Sequence, residues 1–194
     1  MRLFIAMNFP APLRRSIAAI GTDLERSGVP ARWVDSSAVH LTLKFLGEIP
    51  SARVGGVSSA LDEIAIGAEP LTLRFEGVGA FPSPRRPGVI WLGIESGPRL
   101  RLLHDALDRR MAEFGVARET RPFRPHVTLG RVDRDSGPGE FREFEKQARS
   151  LRLDTEIEIS QIDLMESRLR ADGPEYRRVH AARLGTLGVV SGGR

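Results

Sequence analysis

The chain of 194 residues has no cysteine, which excludes disulfides, thiolate metal sites and a thiol nucleophile. It has little lysine: Lys44 and Lys146 are the only two, so its positive charge is carried almost entirely by arginine. Long apolar runs are missing as well. The opening Met1 to Pro10 is too short in apolar residues for a secretory leader, and nothing later approaches the roughly 20 residues that cross a bilayer. No Gly-rich fingerprint opens a helix, no Gly-x-Ser-x-Gly elbow occurs, and no His-x-x-x-His or Glu-x-x-His pair offers metal-ligand spacing. These absences argue against a dinucleotide-binding fold, a serine-elbow hydrolase, a metal site of the common kinds and a membrane partner. A cytoplasmic location is the expectation.

An apolar fraction of 41% and a charged fraction of 28% describe an ordinary folded chain of a length that can bury a sizeable core. The net charge of +4 and pI near 10.5 favour anionic partners. Arginine holds phosphate in a bidentate fork, which suits a phosphate substrate, although codon usage alone would also enrich it.

Periodicity divides the chain into alternating strands and helices. Residues 2 to 9 read as a strand closed by Pro10. Leu13, Ile17, Ile20 and Leu24 give a helix over 11 to 27, stopped by Gly28 and Pro30. A strand through residues 40 to 47 and a helix over 51 to 66 follow. Strands are expected at 70 to 78 and 88 to 95, separated by a Pro/Arg loop, Phe81 to Pro87. The stripe Leu100, Leu103, Leu107, Met111 and Phe114 marks a helix over 98 to 114, with Ser96 as candidate cap and Gly115 as stop. A further strand begins at His126, a short charged helix runs to Leu151, and three more strands are expected at 153 to 159, 161 to 166 and 175 to 184. Without a regular parallel crossover pattern, the reading is α+β with largely antiparallel sheets.

One phrase occurs twice. His40-Leu41-Thr42-Leu43 returns as His126-Val127-Thr128-Leu129. Given this composition, two of four histidines opening His-x-Thr-Leu by chance has a probability on the order of one in ten thousand. On a strand, His and Thr share one face and the two apolar residues share the other. Each copy follows a helix and precedes one, so a duplicated unit related by a rough two-fold is the natural inference. Two imidazoles with two hydroxyls suit in-line displacement at phosphorus, which needs a proton removed on one side and supplied on the other. Thr42 and Thr128 would donate to the non-bridging oxygens. Lys44 is expected on the face of His40 and Thr42, where it could add positive charge or simply be solvated. Gly130, at the matching place, would leave room for substrate. Arg124 shares the face of His126, and Arg131 does so if the strand twists or ends there.

With these residues in hand, the chain resembles the two-histidine phosphoesterase superfamily, and within it the RNA 2′,3′-cyclic phosphodiesterase family, also called 2′-5′ RNA ligases. The resemblance is carried by Arg2-Leu3-Phe4-Ile5-Ala6, Arg32-Trp33-Val34, the stretch from His40 to Glu48, Val89-Ile90-Trp91-Leu92-Gly93, the stretch from Arg121 to Arg131, and Ser167 with Gly173 and Tyr176. It implies two pseudo-two-fold-related lobes, each an antiparallel sheet flanked by helices, around a cleft that holds both motifs. That is a single bilobal domain over residues 1 to 184, followed by a Gly-rich tail over 185 to 194. It further implies hydrolysis of an RNA terminal 2′,3′-cyclic phosphate to a 2′-phosphomonoester, without metal or nucleotide cofactor and without an obligate protein partner. His40 would give the proton to the departing 3′ oxygen and His126 would activate water, with Arg131 as a further contact. Ligation of 2′-5′ ends is the reverse reaction. Two alternatives remain open: a phosphodiesterase of a small cyclic nucleotide or ADP-ribose cyclic phosphate, and a non-catalytic binder of nucleotides or RNA ends. A long RNA would need a basic track outside the cleft, for which Arg85, Arg86, Arg177 and Arg178 are candidates.

Overall fold

The computed structural model describes residues 1–133, 136–170 and 173–185; residues 186–194, nearly all of the expected tail, lie outside them. Strand β1 (Arg2–Asn8) runs through the middle of a sheet and is buried on both faces. Helix α1 (Ala11–Arg26) starts after Pro10, whose missing N–H costs nothing at a helix start, and turns Ile17, Ile20 and Leu24 inward. It ends where Gly28 adopts a φ of +84° and Val29 N–H donates back to the Leu24 carbonyl. Then come β2 (Arg32–Trp33), β3 (His40–Glu48), α2 (Val54–Ile66), β4 (Leu71–Ser83) and β5 (Arg86–Ile94). The second half supplies α3 (Pro98–Ala112), β6 (His126–Arg131), α4 (Phe144–Ser150), β7 (Glu156–Ile159), β8 (Gln161–Arg170) and β9 (Gly173–Arg183).

Two local expectations change. The cap of α3 is Gly97, with no side-chain bond, because Pro98 already presets the first turn and Ser96 stands one residue too early. The expected Pro/Arg loop is the end of a long hairpin: β4 and β5 stay paired through Phe81–Val89 to Ser83–Arg86. Pro82 and Pro87 face each other at a slip in register, where neither has an N–H to lose from the ladder.

The strands are ordered β7-β4-β5-β6-β3-β1-β8-β9, with β2 paired to β6, and every recorded pairing is antiparallel. The sheet divides between β6 and β3 into two four-strand lobes. β1, α1, β3 and α2 of the first repeat match β5, α3, β6 and α4 of the second. Each repeat gives a later strand to the other lobe: β4 pairs with β5, and β8, which comes after β7, pairs with β1. This exchange ties the lobes together covalently. The main core takes Leu3, Ile5, Met7, Leu41, Leu43, Val127 and Leu129 from the sheet and Ile17, Leu61, Leu103 and Leu107 from the helices. The other face of β1 carries Phe4 and Ala6 in a small separate cluster with Met165 and Tyr176. That face borders the cleft.

The register of β3 against β1 slips twice, and the slip nearer the motif has consequences for Lys44. Ile5 pairs with Lys44 but Ala6 pairs with Thr42, so Leu43 is an extra residue in β3. Past this bulge Lys44 sits opposite Ile5 on the core side, while Phe45 takes the cleft face at 65% exposure. Lys44 is 2% exposed and its Nζ donates to Asp108 Oδ1 on α3 at 2.6 Å and to the Ala117 carbonyl at 2.9 Å. Asp108 also accepts from Glu119 N–H at 3.0 Å and Arg118 Nε at 3.1 Å. Burial alone would raise the Asp108 pKa, but the hydrogen bonds from Lys44, Glu119 N–H and Arg118 outweigh it and hold the carboxyl at about 2.

A carboxyl whose folded pKa lies below its unfolded value contributes stability that is present above the unfolded pKa and lost as pH falls through the folded one. For Asp108 this amounts to about 2 kcal/mol, disappearing between about pH 4 and pH 2. Urea unfolding of the wild type and of Asp108→Asn should therefore show a stability gap that narrows over this interval. A gap independent of pH would contradict the assignment.

Candidate active site

Leu41 pairs with Val127, the recorded bridge between β3 and β6. In an antiparallel pair, residues flanking a bridged position face each other crosswise, so His40 stands beside Thr128 and Thr42 beside His126. Cα atoms of such neighbours are about 4.5–5.5 Å apart. The apolar partners Leu41 and Val127 are fully buried on the other face. The four polar side chains open into one cleft of about 810 Å³.

Both imidazoles are held in the same way. His40 Nδ1 lies 2.7 Å from the carbonyl of Ala38, and His126 Nδ1 lies 2.8 Å from the carbonyl of Arg124. A carbonyl only accepts, so each Nδ1 carries the proton and each Nε2 is left for chemistry. Aromatic edges support the rings: Tyr176 meets His40 edge-on at 5.1 Å between centroids, and Phe81 meets His126 edge-on at 5.1 Å. Behind His40 the Ala38 carbonyl is set by a single turn, Ser36–Ala38, whose cap Asp35 accepts from Ser37 N–H at 2.7 Å.

Burial pushes the His40 pKa below its ordinary value; the Ala38 hydrogen bond opposes this, and the positive charge of Arg131 adds to it. His40 is therefore neutral in the free protein near pH 7.

Of the residues expected from the sequence, His40, His126, Thr42, Thr128, Arg124 and Arg131 line this cleft together. Two do not behave as expected. Lys44 is turned into the core by the bulge and is absent from the lining, so it adds no charge there. Gly130 leaves its room to Trp33, its partner across β2 and β6, not to a substrate: a Cβ on Gly130 would lie 2.8 Å from the indole. The remaining lining includes Asp35, Phe81 and Glu119, which the sequence left unmarked as site residues, and Arg32, Trp33 and Arg121, which it marked only within the stretches that carry the resemblance. Asp35-Ser36-Ser37, immediately before the first motif, was a legible capping signal. Phe81 was hidden by the prolines that follow it. Phe123 lines the cleft with its other face stacked on His104, at 3.9 Å between centroids and 10° between planes. Arg177 and Arg178 on β9 face carboxylates, Glu166 at 3.5 Å and Asp163 at 3.9 Å, which weakens them as a basic track. Among the described residues no group of three or more His, Asp or Glu side chains is arranged to hold a metal, and no helix is long and apolar enough to cross a membrane.

A family model described as "LigT like Phosphoesterase" matches residues 8–91 and again residues 92–176, each match holding one His-x-Thr-Leu. The chain belongs to the LigT-like phosphoesterase family. An Aeropyrum pernix protein named RNA 2′,3′-cyclic phosphodiesterase is 31% identical over 90% of this chain and 98% of its own length. An Archaeoglobus fulgidus protein of the same name is 32% identical over 91% and 97%. A crystal structure of a Thermus thermophilus protein superimposes with a TM-score of 0.78 at 25% identity, covering 95% of this chain and 98% of that one. The fold is thus shared over 95% of the chain.

The contribution of Arg131 to the His40 environment is directly measurable. In Arg131→Gln, the His40 pKa followed by NMR should rise relative to wild type. An unchanged or lower value would contradict the proximity of the two charges.

Proposed function

We propose that this LigT-like phosphoesterase hydrolyses the 2′,3′-cyclic phosphate at the end of an RNA to a 2′-phosphomonoester. The observation that carries the reading is the crosswise His/Thr quartet, in which both imidazoles keep Nδ1 on a main-chain carbonyl and so present Nε2 to one cleft. The names of the archaeal relatives support the same substrate, and no cofactor is needed for the chemistry. A cytoplasmic site of action suits such a substrate.

In the proposed reaction a water attacks phosphorus while the bond from phosphorus to the 3′ oxygen breaks. His126 Nε2 takes the proton of the attacking water, and His40 Nε2–H gives one to the departing 3′ oxygen. Thr42 and Thr128 donate to the non-bridging oxygens as charge gathers on them, and Arg124 and Arg131 supply positive field at the cleft wall. The free protein holds His40 neutral, which opposes its role as acid. The phosphodiester anion acts in the opposite sense, because a negative charge beside the ring favours its protonated form and offsets Arg131. Substrate thereby helps to charge its own acid. Solvent returns the two imidazoles to their starting protonation, and a ribose 5′-hydroxyl attacking in place of water, with the 3′ oxygen again departing, would give a 2′-5′ phosphodiester by the same displacement.

An oligoribonucleotide ending in 2′,3′-cyclic phosphate, incubated with the protein in chelator, should give the 2′-phosphomonoester. His40→Ala and His126→Ala should each slow this by about 10²–10⁴-fold, the usual worth of one general acid or base. Binding of the cyclic end without turnover would identify a non-catalytic binder. Faster turnover of a mononucleotide than of the oligonucleotide, with no salt dependence in either, would identify a small-molecule phosphodiesterase.

A further inference from the structure

The two orienting carbonyls are held by unlike means. That of Ala38 sits in a capped turn adjoining its own strand, whereas that of Arg124 ends a segment, residues 113–125, without regular structure in its second half. This segment joins α3 to β6 and also brings Glu119, Arg121, Pro122 and Phe123 to the cleft. We propose that Lys44 is the positioning residue for the second motif: from the first-motif strand it fixes the segment whose Arg124 carbonyl orients His126. The inference rests on the reaction proposed above only for what the orientation is for.

The geometry supports a clamp between the first-motif strand and the segment that leads into the second motif. Lys44 belongs to β3, yet its partners all lie on α3 or in the segment: Asp108 at 2.6 Å, the Ala117 carbonyl at 2.9 Å and Glu119 at 3.6 Å. Asp108 in turn accepts from the main-chain N–H of Glu119 and from Arg118, so residues 117–119 are pinned at three points. His104 holds the segment again at Phe123 by stacking, its Nε2 3.6 Å from Glu119. Elsewhere β3 meets β6 through the single Leu41–Val127 bridge. A fully buried ammonium is expensive, and replacing such a pair by apolar groups is often neutral or stabilising. Stability alone is therefore a weak reason for Lys44 to be there. Placement of a reacting group within a fraction of an ångström is a stronger one, since a misplacement of about 1 Å can reduce the rate about 100-fold.

Three variants separate positioning from support. Lys44→Met leaves Asp108 buried without its cation and should lower the melting temperature together with kcat. Lys44→Met combined with Asp108→Leu should regain most of the melting temperature but keep kcat about tenfold or more below wild type. In that double variant kcat should fall more than KM rises. The ring nitrogens of His126, read by ¹⁵N NMR, should show a mixture of tautomers while those of His40 stay with the proton on Nδ1. Arg118→Ala, exposed and harmless to the core, should move the His126 signals in the same direction with a smaller loss of kcat. Recovery of wild-type kcat and of the His126 tautomer in the stable double variant would overturn the proposal. So would an unchanged His126 spectrum and kcat in Arg118→Ala, should the double variant not fold. If the wild type turns over no cyclic phosphate, the proposed reaction fails, and the tautomer readout still decides the role of Lys44.

Discussion

The pairing of Leu41 with Val127 is the contact on which the rest of the site depends. Strand period and antiparallel register are enough to turn that one bridge into a quartet with His40 beside Thr128 and Thr42 beside His126. The two core residues hold the register, because a slip by one position would bury two imidazoles and expose Leu41 and Val127. The surrounding architecture keeps the bridge from opening. Each repeat lends a strand to the other lobe, and α1 packs on β6 while α3 packs on β3, so parting the lobes would also strip these helices from the sheet.

Symmetry in the quartet is joined to asymmetry around it. His40 is buried beside Phe4 and Tyr176 and feels Arg131, and its orienting carbonyl comes from a turn capped by Asp35. His126 lies against Phe81 and Trp91, and its carbonyl comes from a segment clamped by Lys44 and Asp108. Two similar strands thus offer two imidazoles with unlike environments, as a reaction needing one acid and one base requires.

Much of this was legible before any coordinates. The repeat named the catalytic candidates and the two-fold, apolar periodicity located the first three helices within a few residues, and the fourth was read from a charged stretch ending at Leu151. Lys44 and Gly130 were misread for a common reason: both inferences extended perfect alternation past Thr42 and Thr128. A β-bulge at Leu43 has no mark in the sequence, so the lysine was assigned to the wrong face. The space at Gly130 is filled by Trp33, on a two-residue strand too short to show periodicity. Contacts from distant segments, such as His104 under Phe123, leave no trace in local pattern at all.

The central claim is that one imidazole acts on each side of a single phosphorus, His40 at the leaving oxygen and His126 at the water. A cyclic substrate with sulfur in place of the bridging 3′ oxygen tests it most directly, because a thiolate departs without needing a proton. On that substrate His40→Ala should recover most of the rate it loses on the oxygen substrate, and His126→Ala should recover none. Rescue of both variants, of neither, or of His126→Ala alone would contradict the assignment.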